Sequence, residues 1–382
     1  MNNQTSFDVI VVGAGPAGSS CATLLSRAGL GVLLLDKAKF PRHKICGDCV
    51  NPGCWQFFDL LGISPKLRQS ALVRIDHVRI MSQSGSEVNR KLHSSTTAPF
   101  FALKRAVLDQ MLLENAIEAG AQDLQQARVT EIHRNSLWRV EVSGKGGKRS
   151  PICTSKFIVG ADGRNSIVAR KMGTNQTANQ HKEKKRNRVG LQWHFGAHGA
   201  ANSAIELFLF DSGYCGVVGV SETEGNLAMA TTPDMAGLAE REFARFLQET
   251  IFKNYHAARE FSDLTPLDGI FTTYPINPRS QYASHKTAFL IGDARQTAEP
   301  FTGQGIYFAL QDGIGAAAKI LRQFDLNHRS AWPRSKSRFW VNRIYSPVLR
   351  RSRLAEYLID IGARNPYLVP LAVRPVLGRI VG

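Results

Sequence analysis

The chain has 382 residues, 43% of them hydrophobic, with 48 lysines and arginines against 31 acidic residues and a formal charge of +17. That length accommodates a large core and two domains with a tail more readily than one domain. No apolar run reaches the roughly 18 residues a spanning helix needs, and six cysteines behind residues 1–6, too short and polar for a leader, argue against a disulfide framework and for a cytoplasmic protein.

The first element is the apolar run 7–12, read as a buried parallel strand. It delivers Gly13-Ala14-Gly15-Pro16-Ala17-Gly18 into residues 19–29, whose small and apolar side chains suit a helix packed on that strand. In this context Gly13 permits a tight turn, Gly15 lets the backbone approach a pyrophosphate and Gly18 allows close helix–strand contact, while the helix start points free N–H groups at phosphates. The next strand, 32–35, ends at Asp36, eighteen positions past Gly18. A carboxylate there accepts both ribose hydroxyls of an adenosine and repels a 2′-phosphate, so the site suits FAD or NAD and argues against NADPH.

His43, Cys46, Cys49 and Cys54 then fall within twelve residues. Zinc is one reading of such spacing, but Pro52 and Gly53 interrupt it and no second Cys-x-x-Cys closes a ribbon, so no metal is expected. A β-leaning stretch follows at 73–100 and is assigned to a substrate domain. Residues 101–174 return to the nucleotide domain, with an amphipathic helix at 106–119 and a hairpin turning at 144–147 between strands 138–142 and 152–158. The basic run 181–188 reads as a solvated loop. Segments 205–210 and 214–220 read as strands of a sheet roofing the nucleotide, interrupted by a helix at 238–252. Trp193, Phe208, Phe210 and Tyr214 are candidate pocket residues, against an ordinary core role for strand aromatics.

Late in the chain, the short strand 287–291 delivers Gly292-Asp293, and Pro300, Gly303, Gln304 and Gly305 lead into a helix at 306–321. Asp293 can hydrogen-bond a ribityl hydroxyl. The bare backbone of Gly303 and Gly305, at a helix start, offers N–H groups and positive dipole where a reduced flavin carries its negative charge. With the first motif and Gly160-Ala161-Asp162-Gly163 in the middle, the set reads as an FAD site.

Residues 327–382 differ in composition: eleven Lys or Arg against Glu356 and Asp360, interleaved with Trp332, Phe339, Trp340, Tyr345, Tyr357 and Tyr367. Such a surface suits an anionic bilayer or an acidic carrier protein; a soluble helical tail covering the sheet is the alternative. The overall charge attracts nucleic acid without specificity, and no nucleic-acid motif is present. The expected fold is α/β, a Rossmann-like FAD-binding domain (1–72, 101–174 and 276–326) interleaved with an α+β, β-sheet substrate domain (73–100 and 175–275), followed by a basic helical region (327–382).

Gly13 to Gly18, Phe40-Pro41-Arg42-His43-Lys44-Ile45-Cys46-Gly47-Asp48, Gly160 to Gly163 with Ser166 and Arg170, and Gly292 to Gly305 together resemble the flavoprotein superfamily of para-hydroxybenzoate hydroxylase, and within it the geranylgeranyl reductase-like branch. The resemblance covers about residues 6 to 325. It implies FAD contacts from Gly13, Gly15, Pro16, Ala17, Gly18, Asp36, Lys37, Arg42, Cys46, Gly47, Arg105, Val129, Asp162, Gly163, Asp293, Pro300, Gly303, Gln304, Gly305 and Ile306. In particular Arg105 would meet a phosphate or ribose, Val129 the adenine through its backbone, and Asp162 the pyrophosphate side or a nicotinamide cofactor. Cys46 would lie near the flavin's reactive edge as a catalytic thiol, with Cys49 either its redox partner or a reduced packing residue.

Archaeal reductases of this kind carry Tyr-x-Trp-x-Phe-Pro where this chain has Gly213-Tyr214-Cys215-Gly216-Val217-Val218-Gly219, and the Trp-x-Trp-x-Ile-Pro of flavin halogenases is replaced by Leu191-Gln192-Trp193-His194-Phe195. The second departure argues against halogenation. The resemblance therefore implies reduction of a carbon–carbon double bond in a hydrophobic small molecule, with a monooxygenase acting on an aromatic, polyketide or lipid-like substrate as the alternative and a noncatalytic redox flavoprotein as a third reading. Only one complete dinucleotide fingerprint is present, so electrons would come from transiently docked NAD(P)H or a reduced partner protein.

Overall fold

The computed structural model describes residues 5–92, 96–144, 152–173, 187–196, 203–247, 249, 265–276, 280, 281, 283, 285–326 and 352–364. The expected turn at 144–147, the basic run 181–188 and most of 327–382 fall largely outside them.

A seven-stranded sheet carries the glycine motifs. Its strand order is Gln122–Leu124, Val32–Leu35, Thr5–Val12, Cys153–Gly160, Trp138–Ser143 and Arg128–Arg134, with Ala288–Leu290 also paired to Cys153–Gly160. The central strands run parallel and are covered on both faces, which is why Val9 to Val12 and Val32 to Leu35 are continuously apolar and buried. Helices Pro16–Arg27, Arg105–Glu118 and Gly305–Gln323 pack together against one face, burying Leu24, Leu25, Leu112, Leu310 and Ile314 in one core. All three glycine motifs thus arrive at the same, carboxyl edge of the sheet, where α/β folds bind ligands.

An eight-stranded sheet stands over that edge. Its order is Thr265–Pro266, Val189–Gly196, Glu224–Thr231, Gly213–Gly219, Ala204–Phe210, His77–Met81 and Glu87–Lys91, with Phe271–Thr273 paired to Val189–Gly196. Val73–Ile75 does not join it; with Phe100–Ala102 and Cys49–Val50 it forms a three-stranded sheet beside the nucleotide domain. The helix expected at 238–252 starts earlier, as Pro233–Arg241 followed by the short turn Phe243–Phe246, because Pro233 is pre-organised for a helix start and Glu242 leaves helical geometry.

Side chains alternate between the faces of the large sheet. Trp193, Phe195, Phe208, Phe210, Leu227 and Met229 pack on the far face with Ala236, Ala239 and Phe246. Each such side chain contributes roughly 1.5–3 kcal/mol by burial. Toward the nucleotide edge the sheet presents Ile205, Leu207, Leu209, Tyr214, Val218 and Ala230. The last helix of the described chain, Ser352–Arg364, lies across this side, with Ala355 and Ile359 buried against Val88, Leu209 and Ile276.

Candidate active site

Where strand Thr5–Val12 meets helix Pro16–Arg27, Gly13 has φ +104°, a left-handed conformation that favours glycine. A Cβ on Gly18 would collide with the Gly13 carbonyl, so the helix can sit this close to the strand only without one. Asp36 closes the far side of the turn. Its Oδ2 accepts from Ala14 N and its Oδ1 from Ala38 N, each at 2.9 Å.

Basic groups gather around this turn. Arg42 comes within 3.8 Å of Asp36 and 3.4 Å of Asp109. Arg105 donates through Nε and Nη2 to both oxygens of Asp109 at 2.9 Å, a bidentate pair one helical turn apart, while its backbone N donates to Asp48. The Asp162 Oδ2 accepts from Ile167 N at 2.6 Å. Burial nevertheless raises the Asp162 carboxyl above its ordinary value.

Gly13, Asp36, Arg42, Arg105, Asp162 and Ile167 line one cavity of about 1330 Å³, which runs on past Cys46, Gly47, Gly303 and Gly305 to the inner face of the large sheet. FAD fits it on three counts. The buried atoms Arg42 Nε and Asp162 Oδ1 have no hydrogen-bond partner among the described residues. At the opposite end Gly47, Gly303 and Gly305 face open space that a Cβ would enter without meeting anything within 4 Å. The volume also exceeds the roughly 300–1,000 Å³ of ordinary ligand pockets, leaving room for a second molecule.

The loop carrying Cys46 is clamped from below by the large sheet. Gln192 Oε1 accepts from Cys46 N at 3.1 Å, and Asn226 Nδ2 donates to the Cys46 carbonyl at 2.9 Å. Asp48, with φ +52°, meets His194 Nε2 at 2.9 Å, and the other ring nitrogen meets Asp268 at 2.8 Å. His43, His194 and Asp268 offer ligand atoms within 4.8 Å of one another, but both nitrogens of His194 face carboxylates, the arrangement of an imidazolium bridge. Burial opposes the His194 charge; hydrogen bonds donated to Asp48 and Asp268 outweigh it and raise its pKa above 6.5. Because the folded value is the higher, the bridge is fully present below about pH 6.5 and its contribution is lost as pH rises through the folded value. The excess melting temperature of the native protein over His194→Gln should therefore shrink from pH 6 to pH 9; a difference independent of pH would show that folding does not raise the ring's pKa.

Farther along the cavity a second buried cluster joins the sheet to the loop before Gly303. Arg188 Nη2 contacts both oxygens of Glu299 at 2.8 and 2.7 Å; Tyr214 donates its hydroxyl to Glu299 at 2.8 Å and accepts from Phe301 N at 2.9 Å. Burial, and then the Glu299 charge, push the Tyr214 hydroxyl well above its ordinary value, so it stays protonated.

Of the residues singled out in the sequence, Gly13, Gly15, Pro16, Ala17, Asp36, Lys37, Arg42, Cys46, Gly47, Arg105, Val129, Asp162, Gly163, Asp293, Pro300, Gly303, Gly305, Ile306 and Tyr214 line this cavity. Gly18 acts one layer behind, through packing. Gln304 does not reach the cavity: it is buried as the N-cap of Gly305–Gln323, its carbonyl accepting from Phe308 N. Trp193, Phe208 and Phe210 are core rather than pocket, because strand alternation turns them to the opposite face. Glu299, Arg188, His194, Asp268, Gln192 and Asn226 were not anticipated, nor was the cavity wall supplied by Ala355, Leu358, Ile359 and Ile361. Glu299 stands directly before Pro300, and Gln192 and His194 stand within the segment from Leu191 to Phe195.

Comparison with known proteins agrees with this geometry. A menaquinone reductase of Mycolicibacterium smegmatis is 27% identical over 396 aligned positions, covering 99% of this chain and 93% of that protein. Digeranylgeranylglycerophospholipid reductase 1 of Methanococcoides burtonii is 26% identical, covering 85% and 77%. Among solved structures, the flavin-dependent brominase Bmp2 superposes with a TM-score of 0.74 at 20% identity over 99% of this chain and 95% of its own, and Pseudomonas aeruginosa PqsL with 2-aminobenzoylacetate with 0.73 at 18% over 93% and 100%; at that identity they show the fold. The FAD binding domain family model matches residues 6–325, and the chain accordingly belongs to this family of FAD-dependent oxidoreductases within the para-hydroxybenzoate hydroxylase superfamily.

Proposed function

We propose that the protein uses reduced FAD to saturate a carbon–carbon double bond in an apolar, isoprenoid-like molecule. The observation that carries this reading is the aliphatic wall continuous with the flavin cradle: Val78, Ile80, Val88, Leu207, Leu209 and Ile359 line the far half of the cavity, a surface for a flexible hydrocarbon chain rather than for a polar ring. The reductase names of the two aligned relatives support it.

FAD held between the turn from Gly13 to Gly18, Arg42 and the backbone of Gly303 and Gly305 would supply hydride chemistry toward one carbon of the double bond. The other carbon needs a proton, and Cys46, which lines the cavity, would give it. Burial raises the thiol above its ordinary value of 9.0, against the favourable charge of Arg105, so the proton is present at neutral pH. The start of helix Gly305–Gln323 turns its positive end to the flavin side of the cavity, favouring negative charge there. The Tyr214–Glu299–Arg188 cluster holds the sheet and the Pro300–Thr302 turn in register, and the aliphatic wall excludes water.

Electrons arrive from NAD(P)H docked transiently or from an acidic reduced partner protein at the cytoplasmic side, a reading supported by the single dinucleotide fingerprint and the +17 charge. Anaerobically reduced protein mixed with a polyprenyl quinone or prenyl lipid should yield a product heavier by two hydrogens. A product that instead gains one oxygen atom, and only in air, would replace reduction by oxygenation. In Cys46→Ala the anaerobic substrate-dependent reoxidation should slow about 10²–10⁴-fold, the range of general acid catalysis, with flavin content retained; an unchanged single-turnover rate would remove Cys46 from proton delivery.

A further inference from the structure

We infer that the helix Ser352–Arg364 is an interfacial port, whose outer face seats in the headgroup layer of an anionic bilayer so that the cavity draws its apolar substrate from that layer beside Leu358. Residues at i, i+3, i+4 and i+7 share one face of a helix, and on this helix those positions are Leu354, Tyr357, Leu358 and Ile361. Leu354 is 37% exposed, Tyr357 61% and Leu358 46%. Among the described residues, the other large apolar side chains exposed to this degree are Val107, Ile117, Leu124, Leu267, Tyr274 and Leu326. The adjoining stripe, Ala355 and Ile359, is buried at 5% and 9% against the large sheet.

Leu358 and Ile361 also line the cavity. One short helix therefore separates the aliphatic interior from an exposed apolar stripe, and Leu358 belongs to both. A hydrocarbon substrate entering here would pass from apolar surroundings to apolar surroundings and avoid water.

Charge complementarity selects the occupant. Arg350, Arg351 and Arg353 precede or open the helix and Arg364 ends it, within a region of eleven basic and two acidic residues. One of the two acids, Asp360, is engaged by the Ser84 hydroxyl at 3.2 Å on the protein side. A helix that carries an apolar stripe with a tyrosine and is flanked in sequence by basic residues matches the headgroup layer of an anionic membrane. No helix among the described residues is long and apolar enough to cross a membrane, so contact through this helix would be peripheral.

Docking is tested by co-sedimentation of the flavin-loaded protein with vesicles of phosphatidylcholine containing phosphatidylglycerol, against phosphatidylcholine alone. The native protein should pellet with the anionic vesicles and be released by salt. Leu354→Ser/Tyr357→Ser, which changes residues outside the cavity lining, should bind about tenfold or more weakly with unchanged flavin absorbance. Native protein that stays in the supernatant, or a variant that pellets equally, overturns the inference. The port itself rests on the reduction proposed above and needs a second measurement: the variant should lose turnover of a polyprenyl substrate embedded in vesicles while keeping turnover of the same substrate in detergent. Equal turnover by variant and native protein on vesicles, or equal loss in vesicles and detergent, overturns the port. If the native protein reduces neither form, the proposed reaction falls while the sedimentation result still decides docking.

Discussion

Gly18→Val should produce colourless protein. The new side chain would start on the Gly13 carbonyl, a backbone atom held by strand Thr5–Val12 on one side and by the approach of Ala161 on the other, so neither partner can yield by a rotamer change. The helix must back away, carrying with it the free N–H groups aimed at the cofactor phosphates. Overpacking of this kind costs up to about 3 kcal/mol, which at 1.4 kcal/mol per decade is about 100-fold in FAD affinity. Absorbance of the purified protein and titration with added FAD measure it directly. Native affinity in the variant would mean that helix and strand do not meet as described. The neighbouring Gly13, at φ +104°, is constrained by conformation as well as space.

Glu299→Ala should be the most destabilising single change at the second cluster. Arg188 is 5% exposed and Glu299 fully buried. Removing the carboxylate strips a buried guanidinium of its counter-charge and Tyr214 of its acceptor, a loss of about 3–5 kcal/mol for breaking one side of a buried pair. Replacing both charges by hydrophobic residues of similar size, Arg188→Met with Glu299→Leu, should restore most of that stability, since the desolvation cost of both ions disappears with their attraction. It should not restore turnover, because the hydroxyl of Tyr214 would no longer hold Phe301 N against the cavity. Urea unfolding of the two single variants and the double variant gives the coupling. Additive losses would show that the pair is not coupled, and recovered turnover would remove Tyr214 from positioning the loop.

The two clusters below and beyond the flavin cradle explain which parts of the site were legible. Gly13, Gly15, Gly18, Gly303 and Gly305 act through the backbone and Asp36 through a carboxylate fixed at a strand end: each needs a particular turn, close approach or strand end, and that need leaves glycine–acid spacing within a few residues of chain. His194, Asp48 and Asp268 act through side chains brought together across 146 and 74 positions, and Arg188 meets Glu299 across 111. Nothing local distinguishes such residues from solvated charges. The four strand aromatics show the complementary failure. Trp193, Phe208, Phe210 and Tyr214 are chemically similar, and only the pairing register tells which face each one takes; a one-residue change of register would exchange core for cavity.

By itself the amino-acid order determined the FAD family, the α/β nucleotide scaffold with its strand–turn–helix opening, and the absence of a long apolar span, because these depend on short-range periodicity and on conformations that few residue types can adopt. Tertiary structure alone decided which side chains meet in the charged clusters, that the large sheet keeps its aromatics away from the cavity, and that the helix Ser352–Arg364 becomes a cavity wall. Those outcomes depend on sheet register and long-range packing, where the energy of a contact belongs to two distant segments and leaves no mark on either one alone.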